Sequence, residues 1–144
     1  MSNRPFQFRL HSSHTAPERH SQELEVAMLR DGDRWEAQQL HLDVPGFRLY
    51  LIALLLCQHR HLVRHGLEKG LPLQRVDAEF EVSTTDDWDL ISIRSQFRIQ
   101  LDAGSANVDA SCLGWIQERM ARCPVGRNLP PGVDSQINLT AFVE

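Results

Sequence analysis

Leu49-Tyr50-Leu51-Ile52-Ala53-Leu54-Leu55-Leu56-Cys57 is the longest apolar run in the chain, and its surroundings make it the first half of a long helix. Pro45-Gly46 precedes it, Gly70-Leu71-Pro72 follows it, and from Phe47 to about Lys69 the only glycine or proline is Gly66. Leucine dominates, which favours a helix over a strand. The first half is apolar all round, so it expects burial on every side. One small sheet supplies too little cover for that, and a second copy of the chain sharing the helix in its core would complete it. The second half has a narrow apolar face of Leu62, Val63 and Leu67, with His61, Arg64, His65 and Glu68 elsewhere. Such a helix runs through the centre of a molecule and emerges at its surface.

Strands flank this helix. Phe6 to His11 alternates apolar and polar residues, and Leu24 to Leu29 alternates again after a polar turn at His14 to Gln22. Arg30-Asp31-Gly32-Asp33-Arg34 carries Asp-Gly turn chemistry, returning Trp35 to Val44 as a third strand. Beyond the helix, Val76 to Ser83 and Leu90 to Leu101 are strands around the turn-rich Thr84-Thr85-Asp86-Asp87. Gly104 to Asn107 offers caps for a second helix, Val108 to Arg122, with Val108, Cys112, Ile116, Met120 and Cys123 on one face. Pro124 and Gly126 stop it, and Ile137 to Phe142 is a last strand. Three strands, a long helix, two strands, a helix and a strand define an α+β class with a mainly antiparallel sheet. Residues 1–144 form one domain.

Composition narrows the function classes. With 42% hydrophobic and 24% charged residues the chain reads as an ordinary globular protein. A formal net charge of −4 gives no general attraction to nucleic acid or to an anionic membrane. The longest apolar run is about half of the roughly 20 residues that span a bilayer, and no secretory signal is visible, so a cytoplasmic location is expected. Three cysteines, an odd count, argue against a structural disulfide framework.

Two of those cysteines are candidates for chemistry. Cys57 lies about three turns into the long helix, beyond the strong field of its N-terminus, so a catalytic role requires an arginine or histidine from elsewhere in the fold. Cys123 lies where the second helix ends, and the partial negative charge of unpaired carbonyls there opposes a thiolate. It is a poor first nucleophile. Cys112 shares a helix face with Cys123, but Cys123 is eleven residues further along, which corresponds to roughly 16 Å of rise, too far for a disulfide. It reads as a small buried hydrophobe.

The helical Cys57 followed, after two strands and a second helix, by Cys123-Pro124-Val125 and a closing strand resembles the OsmC/Ohr family of thiol peroxidases and osmotically induced stress proteins. The resemblance covers most of the chain. It implies an intertwined homodimer with the long helices at its centre, and no cofactor. It also implies that Cys57 attacks an organic hydroperoxide and becomes a sulfenic acid. Cys123 then resolves it into a disulfide that a dithiol reductant reopens. Peroxidase members hold the reactive thiolate with an arginine from the first strand turn, for which Arg19 is the counterpart, and orient that arginine with a glutamate before the helix. Here that segment is Asp43-Val44-Pro45-Gly46-Phe47-Arg48, with Phe47 in place of the acid. Either Arg48 supplies the cation or Asp43 replaces the acid, and peroxidase chemistry survives. Otherwise the chain is a catalytically silent relative that binds a small apolar ligand or acts as a dimeric structural module.

Other clusters read as structural. His59, Arg60, His61, Arg64 and His65 form a solvated helix end, because no further ligands complete a metal site around His61 and His65. Asp86, Asp87 and Asp89 belong to a turn, and neither Trp88 nor Trp115 needs a special role.

Overall fold

The computed structural model describes residues 4–102 and 108–143. One six-stranded sheet is built from β1 (Arg4–His14), β2 (Ser21–Arg30), β3 (Arg34–Ala37), β4 (Leu73–Thr84), β5 (Leu90–Leu101) and β6 (Asp134–Val143), in the order β3-β2-β1-β4-β5-β6. Every pairing is antiparallel except β5 with β6. That parallel pair is connected through α2 (Ala110–Ala121) and α3 (Pro124–Arg127), as a parallel connection requires. The α+β reading therefore holds, with one parallel edge added.

Alternation along the strands decides which face is covered. Phe8, Leu10, Ser12 and His14 of β1, Val76, Ala78, Phe80 and Val82 of β4, and Ile93, Ser95, Phe97 and Ile99 of β5 are all buried. The residues between them are polar or charged: His11 meets Asp77, and Arg98 meets Glu79. One face is core and the other carries ion pairs.

The long helix, α1 (Gly46–Glu68), lies across the apolar face and packs against α2 and α3. Pro45 is its N-cap, with φ −53° already set, and its carbonyl accepts the Leu49 N–H at 2.9 Å. Gly70, at φ +71°, ends it: the Gly70 N–H bonds the Leu67 carbonyl at 3.0 Å and the Leu71 N–H bonds the Gly66 carbonyl at 2.9 Å. This is a Schellman stop, which needs a residue free of the Cβ penalty at positive φ. Leu51, Ile52, Leu54 and Leu55 are at most 1% exposed within the single chain. The expectation that the helix needs a second copy to cover its apolar half is thus too strong. Leu49 is exposed and Tyr50 and Leu56 half-buried.

Most strands run one to three residues beyond the sequence reading at their ends, and three departures go further. The third strand stops at Ala37 rather than running to Val44; the Gln38 N–H still bonds the Val26 carbonyl, but Leu40 and Leu42 stand exposed among the described residues. The cap of α2 is Asp109, whose carboxylate accepts the Cys112 N–H at 2.8 Å; Gly104 to Asn107 lie outside the described residues. Pro124 and Gly126 do not simply end a helix. They open a new one, α3, with Cys123 as its N-cap.

Candidate active site

Cys57 and Cys123 come together. Cys57 is half-buried on the side of α1 that faces α2 and α3, whereas Cys123 is fully buried in the joint between α2 and α3. The Cys123 thiol lies close enough to Cys57 for the two to interact, and that interaction favours the protonated form of Cys123. Its own Sγ accepts the Gly126 N–H at 3.3 Å, in the N-cap position of α3.

The proton stays on Cys123. The residue follows Arg122, the C-cap of α2, where the helix end opposes a thiolate as expected, and its sulfur also caps the N-terminus of α3, which favours negative charge. Burial outweighs that cap, and the interaction with Cys57 adds to it, so the Cys123 thiol is pushed up to about 12. It is a thiol throughout the physiological range.

Gly126 fits this joint closely. A Cβ there would lie 3.2 Å from Cys123 Sγ and 3.4 Å from the Ala121 carbonyl oxygen. Gly126→Ala is expected to lower unfolding free energy by about 1 kcal/mol. Gly114→Ala, where a Cβ meets nothing within 4 Å on the helical wall of α2, should raise it by up to about 1 kcal/mol. Urea unfolding of both variants checks the contrast.

Neither predicted arginine touches the Cys57 sulfur within the protomer. Arg19, held at φ +59° in the β1–β2 turn, donates to the Leu73 carbonyl at 2.6 Å and forms an ion pair with Asp102 at the end of β5. Leu73 packs on Gly66, nine residues beyond Cys57, which is about 13 Å of helix rise. Arg48 lies nine residues before Cys57, also about 13 Å away and on the opposite side of the helix at roughly 100° per residue. It borders a shallow cavity with Glu36, His41 and Asp43. Asp43 does not orient Arg19 either: it is exposed, and its backbone N–H bonds His41 Nδ1 at 3.2 Å. The acid on Arg19 is Asp102, which no motif before α1 pointed to.

Removing that pair has a measurable cost. Arg19→Ala strands the Leu73 carbonyl and the half-buried Asp102, and should destabilise the chain by about 1–2 kcal/mol. Thermal unfolding of Arg19→Ala against Arg19→Lys, which keeps a donor, measures it.

A second buried polar group lies on the sheet side of α1. Ser12 Oγ is 2.9 Å from His14 Nε2 and 2.8 Å from His59 Nε2, while His14 Nδ1 is 2.8 Å from the Arg19 carbonyl. A carbonyl only accepts, so His14 Nδ1 carries the proton and its Nε2 accepts from the Ser12 hydroxyl. Ser12 then accepts from His59 Nε2–H. Both rings are neutral in this chain of bonds, and burial holds both below the usual histidine range, His59 down to about 4.

His59 is therefore not part of a solvated helix end, as expected; it is 2% exposed. Two periodicities carried the signal. His14 continues the buried alternation Phe8, Leu10, Ser12, and His59 falls four residues after Leu55 and three before Leu62 on the buried stripe. Among the described residues no group of three or more His, Cys, Asp or Glu side chains is arranged to hold a metal ion. No helix of the described chain is long and apolar enough to cross a membrane.

A six-stranded sheet with a long helix on one face, and a second helix delivering Cys123 to that helix's Cys57, defines an OsmC-like fold. An OsmC-like hydroperoxide resistance protein from Jannaschia sp. CCS1 superposes with a TM-score of 0.58 at 14% identity, covering 87% of this chain and 86% of that one. An osmotic stress induced and detoxification response protein from Psychrobacter arcticus 273-4 gives 0.56 at 10% identity, with 81% and 88% covered. An OsmC-like protein from Mycoplasma pneumoniae gives 0.51 at 15%, with 83% and 88% covered. No family model matches the chain, and no curated protein sequence does.

Proposed function

We propose that this chain is a homodimeric thiol peroxidase that reduces organic hydroperoxides. The proximity of Cys123 to Cys57, two thiols from different elements that interact directly, carries the reading. The sulfur of Cys57 attacks the distal peroxide oxygen and the O–O bond breaks; the alkoxide takes a proton and leaves as the alcohol, and Cys57 is left as a sulfenic acid. Cys123 attacks that sulfenic sulfur, its proton leaves with the hydroxide as water, and the Cys57–Cys123 disulfide forms. A dithiol reductant then restores both thiols and is itself oxidised to a disulfide.

Half-burial gives Cys57 a path to substrate that the fully buried Cys123 lacks, which supports the division of roles. Since Arg19 and Arg48 are both held away from Cys57 in one protomer, the cation for the attacking sulfur comes from the second copy. The exposed Leu40, Leu42 and Leu49 beside the start of α1 are the apolar surface that copy covers. The second reading, a catalytically silent dimer, is favoured by one observation: Arg19 is already engaged with Asp102. Consumption of cumene hydroperoxide by the wild-type chain with a dithiol present separates the two. Turnover supports the peroxidase, and none beyond the protein-free rate supports the silent dimer.

A further inference from the structure

The alkoxide released when Cys57 attacks a hydroperoxide needs a proton, and the buried Cys123 keeps its own. His61 is placed to supply one. It lies one helical turn beyond Cys57, and residues four apart on a helix share a face and start about 5–6 Å apart at Cβ. That face meets α2 and the joint after it on both sides of His61: Cys57 interacts with Cys123, and the His65 ring packs perpendicular to Trp115 with centroids 5.5 Å apart. His61 therefore sits on the same seam, half-buried like Cys57. A hydrogen bond fixes its tautomer. His61 Nδ1 lies 3.1 Å from the Cys57 carbonyl oxygen. A carbonyl only accepts, so in the neutral ring Nδ1 carries the hydrogen and Nε2 keeps its lone pair. Among the described residues Nε2 has no hydrogen-bond partner. The cations further along the seam are engaged: His65 Nδ1 with Glu68 Oε2 at 3.0 Å, and Lys69 Nζ and the Arg119 guanidinium over the Trp115 ring at 4.4 and 4.7 Å.

On the peroxidase reading, from which this inference starts, we propose that His61 is the acid–base residue of the peroxide step. Its Nε2 takes the Cys57 thiol proton, directly or through one water, and returns it to the oxygen that leaves. The thiolate attacks the distal oxygen, which keeps its hydrogen and becomes the sulfenic hydroxyl. The O–O electron pair goes to the proximal oxygen, which accepts the His61 proton and departs as the alcohol, so the ring ends neutral as it began. The distances suit this order. Sulfur and attacked oxygen meet at about 3–3.5 Å, and the leaving oxygen lies one bond further on. An acid rooted about 5–6 Å from the cysteine Cβ can come within hydrogen-bond reach of that oxygen, whereas it need not touch the sulfur. The cation from the second copy holds the thiolate, and His61 carries the proton.

Single-turnover oxidation of Cys57, followed by stopped flow with cumene hydroperoxide and with perbenzoic acid, tests the role. The first releases an alkoxide that needs a proton; the second releases a benzoate that does not. His61→Asn keeps an N–H for the Cys57 carbonyl but has no nitrogen that takes up a proton. It should slow the cumene hydroperoxide reaction on the order of a hundredfold more than the perbenzoic acid reaction. A merely structural role slows both alike, so equal losses, or no loss with cumene hydroperoxide, overturn the assignment and leave the peroxidase standing. A wild-type chain whose Cys57 is oxidised by neither reagent overturns the peroxidase reading, and this role with it. Should His61→Asn fail to fold, the wild type decides: a solvent deuterium isotope effect larger with cumene hydroperoxide than with perbenzoic acid supports the proton transfer, and equal effects overturn it.

Discussion

Cys57→Ser should lose hydroperoxide consumption by at least a thousandfold, because a serine hydroxyl at that position has no thiolate form to attack the O–O bond. Cys123→Ser should behave differently. It should still consume one equivalent of hydroperoxide in a single turnover, forming a sulfenic acid at Cys57 that a dimedone probe captures, and then stall with dithiols that act only on the disulfide. The distinction follows from burial: Cys57 is half-buried and reachable, whereas Cys123 is fully buried and keeps its proton up to about pH 12. Stopped-flow consumption and probe labelling together read both outcomes. A Cys57→Ser protein as active as wild type would remove the enzyme reading altogether.

Acid should unfold this chain through His59. Its folded-state pKa lies near 4, against about 6.5 when unfolded, so between those values the unfolded chain takes up a proton that the native one refuses. Stability is therefore undiminished above about pH 6.5, falls as pH drops through the window, and levels off for this group below about pH 4. The full loss is about 3 kcal/mol, and His14, depressed in the same direction, adds to it. His59→Gln keeps a donor for Ser12 and removes the titration. Urea unfolding at pH 7.5 and 4.5 should show the wild-type loss and a variant that loses much less; equal losses would contradict the assignment.

What the sequence made legible was set by periodicity and chain breakers. The apolar run ending at Cys57, bounded by Pro45 and by Gly70, defines α1 to within a residue or two, and alternation defines most of the strands. The meeting of Cys57 and Cys123 came from the family resemblance rather than from spacing, since nothing local says which helix packs on which. Asp102 was illegible for the same reason: its partner Arg19 reaches it across the sheet from the β1–β2 turn. His59 was misread because histidines near arginines suggest a solvated surface, although the helical stripe from Leu55 to Leu62 already placed it inside. Cys123 does lie at the end of α2, as its place in the sequence implies. Only the fold shows that Pro124 begins another helix there and that burial is the largest influence keeping the proton on Cys123.

Intact-mass analysis with peptide mapping, after one equivalent of cumene hydroperoxide and before any reductant, tests the thiol pair most directly. The account predicts a loss equal to two hydrogen atoms, located in a peptide joining Cys57 to Cys123 and reversed by a dithiol. An unchanged mass, or a disulfide that links Cys57 to Cys112 instead, would contradict it.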